Sequence, residues 1–378
     1  RNNAVTNQGQ TDAGVLSARN QAFIRQGNNG NAELNFAAID QDGSDNQAMT
    51  RQTYDNNDAY TDQDGDNLKS KIVQIAAPDG SRGHWAFVDQ QGDGSESHVL
   101  QEGAGARNYA HTAQDGLDNY ADQYQTTGAT SGDANRARIA QGINTSYSIV
   151  GFSTEMDNLR NDTYAVDGTP GSTSVFSEGA QAFQRQSGDD NQANIGQYGE
   201  VVGNPPAGNY ADQDQQGDDN NSFIVQNLFG PSPAGGNKAQ QLQVGDDNNA
   251  GIVQSGRNLK ARQFQDGDDN IALTSQKGNR NKSFTFQYGE DNWVSTAQRG
   301  HDNRIVISQY DGQSYIAEQN LYAQPQAGNN QIDVIQTDGS QDINEWLAEE
   351  CELEMMDPQE WTPFRSPSTP DICVECDQ

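Results

Sequence analysis

The sequence predicts an all-β fold: a parallel β-solenoid with two short strands in each coil. Three observations carry this prediction. A glutamine recurs at every eleventh residue from Gln243 to Gln309, an alternation of period two runs behind it, and only 32% of the 378 residues are hydrophobic. The glutamines are Gln243, Gln254, Gln265, Gln276, Gln287, Gln298 and Gln309, and nearly every one opens the phrase Gln-x-Gly-x-x-Asn-x-small-x-aliphatic/Thr-x. Internal repeats set the architecture before any other pattern is weighed.

The second half of each phrase alternates. Asn281, Ser283, Thr285 and Gln287 share one face, as do Asn292, Val294, Thr296 and Gln298, and Asn303, Ile305, Ile307 and Gln309. Period two marks a strand. The Gly-x-x-Asn half supplies turn residues, with a glycine that accepts positive φ. Each unit is therefore a tight turn and a strand, and two units of 11 residues close one coil. Stacking the coils sets each residue above its equivalent about 4.8 Å away. Columns of identical amides then satisfy one another inside a thin, dry interior. The residues expected in such ladders are Gln186, Asn191, Gln197, Gln243, Asn248, Gln254, Gln265, Asn270, Gln276, Asn281, Gln287, Asn292, Gln298, Asn303 and Gln309.

Composition bounds the rest. Low apolar content with a formal charge of −32 would by itself suggest disorder, which the repeat overrules. The charge argues against nucleic acid or an anionic membrane as partner, and no apolar run is long enough for a membrane-spanning helix. The sequence starts at Arg1 with no signal-peptide pattern, as expected of a processed secreted protein and equally of a segment cut from a longer chain.

In chain order, the phrase opens at Asn2/Ala4/Thr6/Gln8 and continues through Asn20–Gln26, Asn35–Gln41, Asn46–Gln52, Asn57–Gln63, Leu68–Gln74, His84–Gln90, Ser95–Gln101, Asn108–Gln114, Asn119–Gln125 and Asn135–Gln141. It fades there, with Ser146–Phe152 the best remaining candidate, and resumes at Ala180–Gln186 to run to Asn330–Gln336. Alternate intervals between strand ends are close to 11, while those between hold insertions. This predicts one edge of uniformly tight turns and an opposite edge that carries the loops, with one strand ending near Phe152 and an inserted loop over 153–179. The total is about 25 strands in about 12 coils, a rod of roughly 60 Å at the cross-strand spacing. The domains are thus a solenoid over 1–336 and an acidic, Pro/Ser-rich tail over 337–378, with a short helix expected around 343–356 and all three cysteines, Cys351, Cys373 and Cys376. For these a disulfide, or thiols without a role, fits better than zinc, which wants four ligands where the tail has no His.

The tight edge is acidic, and Asp190, Asp219, Asp247, Asp269 and Asp291 should form a column of carboxylates. They are weak cation candidates: Ca²⁺ would relieve their repulsion, but the period and the Gln/Asn content differ from those of calcium-binding β-rolls. The simpler role is solubility. Arg257, Lys277, Arg280, Arg299 and His301 make the opposite edge of this block more basic. Phe284, Phe286 and Trp293 point outward, as lateral contacts or merely exposed strand formers. No nucleophile–base pair or phosphate loop stands out among the residues, so no enzyme and no cofactor are expected.

The paired half-repeats resemble the curlin repeat of bacterial curli subunits, Ser-x5-Gln-x-Gly-x2-Asn-x-Ala-x3-Gln. Gln265-x-Gly267-x2-Asn270-x-Ala272-x3-Gln276 matches its second half, as do the segments Gln186–Gln197 and Gln243–Gln254, while Ser255-x5-Ala261 departs at the leading glutamine. The likeness covers most of residues 2–336. It implies a secreted subunit that stacks end to end into an extracellular amyloid fibre of biofilms, with itself as main partner and with secretion and nucleation partners. The competing expectation is a monomeric secreted β-solenoid adhesin with cation-binding acidic turns.

Overall fold

The computed structural model describes residues 2–8, 19–27, 33–76, 83–103, 107–127, 134–142, 177–198, 208–227, 235–320 and 328–336. They form an all-β parallel β-solenoid of two parallel sheets, with no helix among the described residues. The first sheet contains β1 (Asn3–Gln8), β3 (Phe36–Asp42), β5 (Asp58–Asp66), β7 (Trp85–Asp93), β9 (Tyr109–Leu117), β11 (Arg136–Gln141), β14 (Gln192–Gln197), β16 (Asn221–Gln226), β18 (Asn249–Arg257), β20 (Ile271–Asn279), β22 (Trp293–His301) and β24 (Ser314–Gln319), in that spatial order. The two-residue β12 (Ser177–Glu178) joins it beside β9. The second sheet contains β2 (Gln21–Gln26), β4 (Gln47–Thr53), β6 (Lys69–Ile75), β8 (Glu96–Gly103), β10 (Tyr120–Thr127), β13 (Gln181–Ser187), β15 (Tyr210–Gln216), β17 (Lys238–Val244), β19 (Lys260–Asp266), β21 (Lys282–Tyr288), β23 (Arg304–Tyr310) and β25 (Gln331–Gln336).

Register is fixed by the alternation. Asn248, Ala250, Ile252 and Gln254 are all buried, and equivalent residues of the neighbouring strands sit directly beside them. Slipping a strand by one residue would turn this set outward. Alanines of the second sheet, such as Ala182, Ala211, Ala239 and Ala261, meet isoleucines of the first, Ile139, Ile195, Ile224 and Ile252. A small residue opposite a large one keeps the interior thin.

The expectation of one tight and one looped edge is corrected by the sheet order. From Gln41 to Gln125, the connections that run from the first sheet into the second are all tight, at 42–46, 64–68, 91–95 and 115–119. From Gln186 onward, the tight turns at 187–191, 216–220 and 244–248 run from the second sheet into the first, so the loops have changed edges. β10 pairs directly with β13, and β11 with β14. No strand intervenes between these partners in either sheet, so the alternation of tight and long connections passes out of phase there, which is the change of edge. The candidate strand Ser146–Phe152, most of the expected loop 153–179, and the tail with its helix and cysteines lie outside the described residues. The end of that loop is described, and its residues 177–178 are β12.

Phe284 and Phe286 alternate with the inward Ser283 and Thr285, so they do lie on the outer face. They are nonetheless buried, packed with Val306, Phe264 and Tyr288 on neighbouring strands. The reading of these two as exposed strand formers is therefore overturned: residues stacked 4.8 Å apart along the sheet cover one another. Trp293 is half-buried.

Candidate functional site: the amide columns and their open ends

Two glutamine columns run the whole length of the described solenoid. In the first sheet Gln8, Gln41, Gln63, Gln90, Gln114, Gln141, Gln197, Gln226, Gln254, Gln276, Gln298 and Gln319 each donate Nε2–H to the Oε1 of the next, at 2.8–3.0 Å. In the second sheet the same chain of bonds links Gln26, Gln52, Gln74, Gln101, Gln125, Gln186, Gln215, Gln243, Gln265, Gln287, Gln309 and Gln336. The second N–H of most of these amides is taken by a main-chain carbonyl across the interior, as from Gln254 to Lys238 and from Gln265 to Asn249. A buried carboxamide with both donors used costs little to bury. The columns cross the region where the repeat fades without losing a member, through Gln125 to Gln186 and Gln141 to Gln197.

The asparagine columns work differently from the expected amide-over-amide ladder. Oδ1 of Asn191 accepts the main-chain N–H of Asn220, and Asn220, Asn248 and Asn270 repeat this to Asn248, Asn270 and Asn292. Nδ2 of Asn191, Asn248 and Asn270 donates to the turn carbonyls of Gly217, Gly267 and Gly289. Direct amide contacts occur as well, such as Asn292 to Asn270 and Asn303 to Asn281. Asparagine is thus a clamp on the turn. Leucine, serine or histidine replaces it at Leu68, Leu259, Ser95 and His84 with burial preserved. Burial holds the His84 imidazole down at about 4, hence neutral.

A third column was not anticipated. Gln123, Gln184, Gln213, Gln241 and Gln263 form their own chain of Nε2–H to Oε1 bonds at the position that elsewhere holds an aliphatic or threonine. Its first Oε1 accepts from the Thr112 hydroxyl, and its last Nε2 donates to the Thr274 hydroxyl. The signal lay in the sequence as Gln-x-Gln at five strand ends. This column is closed at both ends.

The two long columns are open. Among the described residues, nothing donates to Oε1 of Gln8 or Gln26, and Nε2 of Gln319 and Gln336 donates only to the carbonyls of Arg304 and Ser314. The strands there are also little covered, with β1 exposed throughout and β25 without a fully buried residue. One end of the solenoid presents acceptors and the other presents donors.

The acidic turns stack as expected. Asp190, Asp219, Asp247, Asp269 and Asp291 occupy equivalent left-handed positions, with φ between 54° and 57°. Burial and then the neighbouring Asp219 and Asp269 raise the Asp247 carboxyl. The more engaged carboxylates are the preceding residues: Asp218, Asp246 and Asp268 each accept the main-chain N–H of the equivalent residue one coil earlier, at 2.8 Å. Among the described residues, no group of three or more His, Cys, Asp or Glu side chains is arranged to hold a metal ion. On the other edge of the block Arg280 makes a two-pronged contact with Asp302 at 2.7 Å, and Arg280 and then His301 hold that carboxyl below its usual range. No helix among the described residues is long and apolar enough to cross a membrane.

Comparison with known proteins gave no match, either to a protein-family model or to an individual curated protein.

Proposed function

We propose that the chain is a structural subunit of an extracellular, curli-like amyloid fibre that assembles by end-to-end stacking. In this reading the solenoid has about 12 coils of two strands each, roughly 60 Å in all at the cross-strand spacing, and every copy adds to the two sheets of the copy before it. The observation that carries the reading is the contrast between the columns: the internal one is closed by threonine hydroxyls, whereas the two full-length ones end unfilled among the described residues. A solenoid that is to stay monomeric needs its terminal coils covered. Nε2 of Gln319 and Gln336 in one copy would meet Oε1 of Gln8 and Gln26 in the next, which makes the joint head-to-tail.

The expectations of secretion, of cell-surface location, of helper proteins for export and nucleation, and of a purely structural, non-enzymatic role rest on the curlin resemblance and on this geometry together. The test is assembly of the purified full-length chain, followed by electron microscopy and fibre diffraction. Filaments with reflections near 4.8 and 10 Å are expected. Persistent monomers that change only on adding Ca²⁺ would favour the alternative, a monomeric β-solenoid adhesin whose turn carboxylates at Asp190, Asp219, Asp247, Asp269 and Asp291 bind cations.

A further inference from the structure

The outer face of the first sheet holds a groove of about 300 Å³ where β9, β11 and β14 lie side by side. Tyr109, Arg136 and Gln192 form one row of its lining, and His111, Arg138 and Asn194 form the next. In a chain with 54 acidic and 22 basic residues, this lining contains two guanidiniums and no carboxylate. Arg136 and Arg138 are two residues apart on one face of β11, with their backbone positions about 7 Å apart along the strand. Burial, and then Arg138, hold His111 down at about 4, so at neutral pH it is a neutral hydrogen-bonding group.

The two flanks of the groove differ. On one side Trp85 is 46% exposed, and its ring centroid lies 5.0 Å from that of Tyr109. Next to that pair, Phe87 meets the ring of His111 edge-on at 5.1 Å. On the other side Tyr198 is buried, with its ring folded back over Gly196, where a Cβ would come within 3.0 Å of it. Its hydroxyl, which has no hydrogen-bond partner among the described residues, is thereby held over Gly196, 3.2 Å from where a Cβ would stand.

We infer that this groove binds a carboxylate-bearing sugar, such as an acidic residue that ends or decorates a glycan. Guanidinium forks match a carboxylate in shape as well as in charge. The amides of Gln192 and Asn194 supply donors and acceptors for ring hydroxyls. The exposed tryptophan on its tyrosine offers a flat apolar surface with a polar edge, and the volume suits a small ligand. A densely charged polymer such as a nucleic acid fits less well. Beyond Trp85 it would run over Asp58, and beside the Phe87 row over Asp62 and Asp89. The site does not depend on fibre assembly, since a monomer and a filament would present it alike.

The test titrates the full-length chain with methyl glucuronide, using methyl glucoside as the neutral match and benzoate as a carboxylate without a sugar, followed by ligand-observed NMR. Saturable binding of methyl glucuronide is expected, at least tenfold tighter than either control. Arg138→Gln and Arg136→Gln should each weaken it about tenfold, and Trp85→Ala several-fold, with far-ultraviolet circular dichroism reporting that each variant keeps its sheets. If Arg138→Gln loses its fold, the more exposed Arg136→Gln decides. Equal binding of methyl glucoside, equal binding of benzoate, indifference to the arginine substitutions, or no saturation would each overturn the assignment.

Discussion

Residues 235–320 and residues 33–142 build the same interior under different constraints. In the later block both edges turn tightly, the phrase is almost unbroken, and charge is sorted by edge, with aspartates at 246–247 and 268–269 opposite Arg257, Lys277, Arg280 and Arg299. In the earlier region most connections on one edge are long, His84 and Ser95 replace asparagine, and acidic residues move onto the face of the first sheet as Asp40, Asp62 and Asp89 in register. The glutamine columns pass through both without a gap. The difference teaches that the inward amides define the fold, while turns, loops and outer faces are free to vary around them.

The largest effect should come from the turn glycines, which both regions share. A Cβ at Gly267 would lie 2.2 Å from the Gly289 carbonyl oxygen, and one at Gly65 would lie 1.8 Å from that of Gly92, each at a φ that disfavours a side chain. Gly267→Val and Gly65→Val should abolish cooperative folding, seen as loss of a thermal transition. Gly312→Ala, at φ +64 with nothing within 4 Å, should cost only about 1 kcal/mol.

Breaking a column comes next. Gln265→Leu leaves Nε2 of Gln243 and Oε1 of Gln287 without their partners, and Gln63→Leu does the same to Gln41 and Gln90. Each should destabilise by about 2–4 kcal/mol in denaturant titrations, from two buried polar atoms left unsatisfied. A loss confined to one of the two variants would show that the regions do not share one interior.

A smaller effect separates the regions by pH. Burial first, then Asp89 and Asp40, raise the Asp62 carboxyl to about 6, above the unfolded value of about 3.9. Between those values the folded chain holds more protons, so this contribution favours folding most below about pH 4 and is lost as pH rises to about 6. Asp62→Asn should raise the melting temperature at pH 7 and leave it unchanged near pH 4. His84 acts in the opposite sense: its pKa is depressed, so its neutral form favours folding above about pH 6.5, and this is lost as pH falls towards 4. Removing the exposed Arg280–Asp302 pair in the block, by Arg280→Gln, should leave the melting temperature unchanged, as for most surface ion pairs.

Much of this fold was legible because an inward amide tolerates few substitutes, and Gln243 through Gln309 announce their spacing. The ladder partners of Gln265, which are Gln243 and Gln287, follow from that spacing alone. The exchange of edges between Gln141 and Gln186 was not legible, because interval lengths give the size of a connection and not the side on which it lies. The column from Gln123 to Gln263 was visible as Gln-x-Gln but sits where the phrase elsewhere reads isoleucine or threonine. The burial of Phe284 and Phe286 was hidden for another reason: alternation tells which face a residue takes, whereas cover on that face comes from Phe264, Val306 and Tyr288 on other strands.

The most direct test of the account is seeded elongation by the full-length chain carrying both Gln8→Leu and Gln26→Leu. Gln8 lies on the exposed β1 and Gln26 on the half-buried β2. Each substitution removes one donor, to Gln41 or Gln52, at the end of its column rather than two partners in its middle, so the melting temperature of the monomer should fall by only a few degrees. Elongation from preformed seeds should fall at least tenfold, because Gln319 and Gln336 of one copy would find no acceptor on the next. Elongation at the parental rate, with folding intact, would contradict the claim that copies join through the glutamine columns.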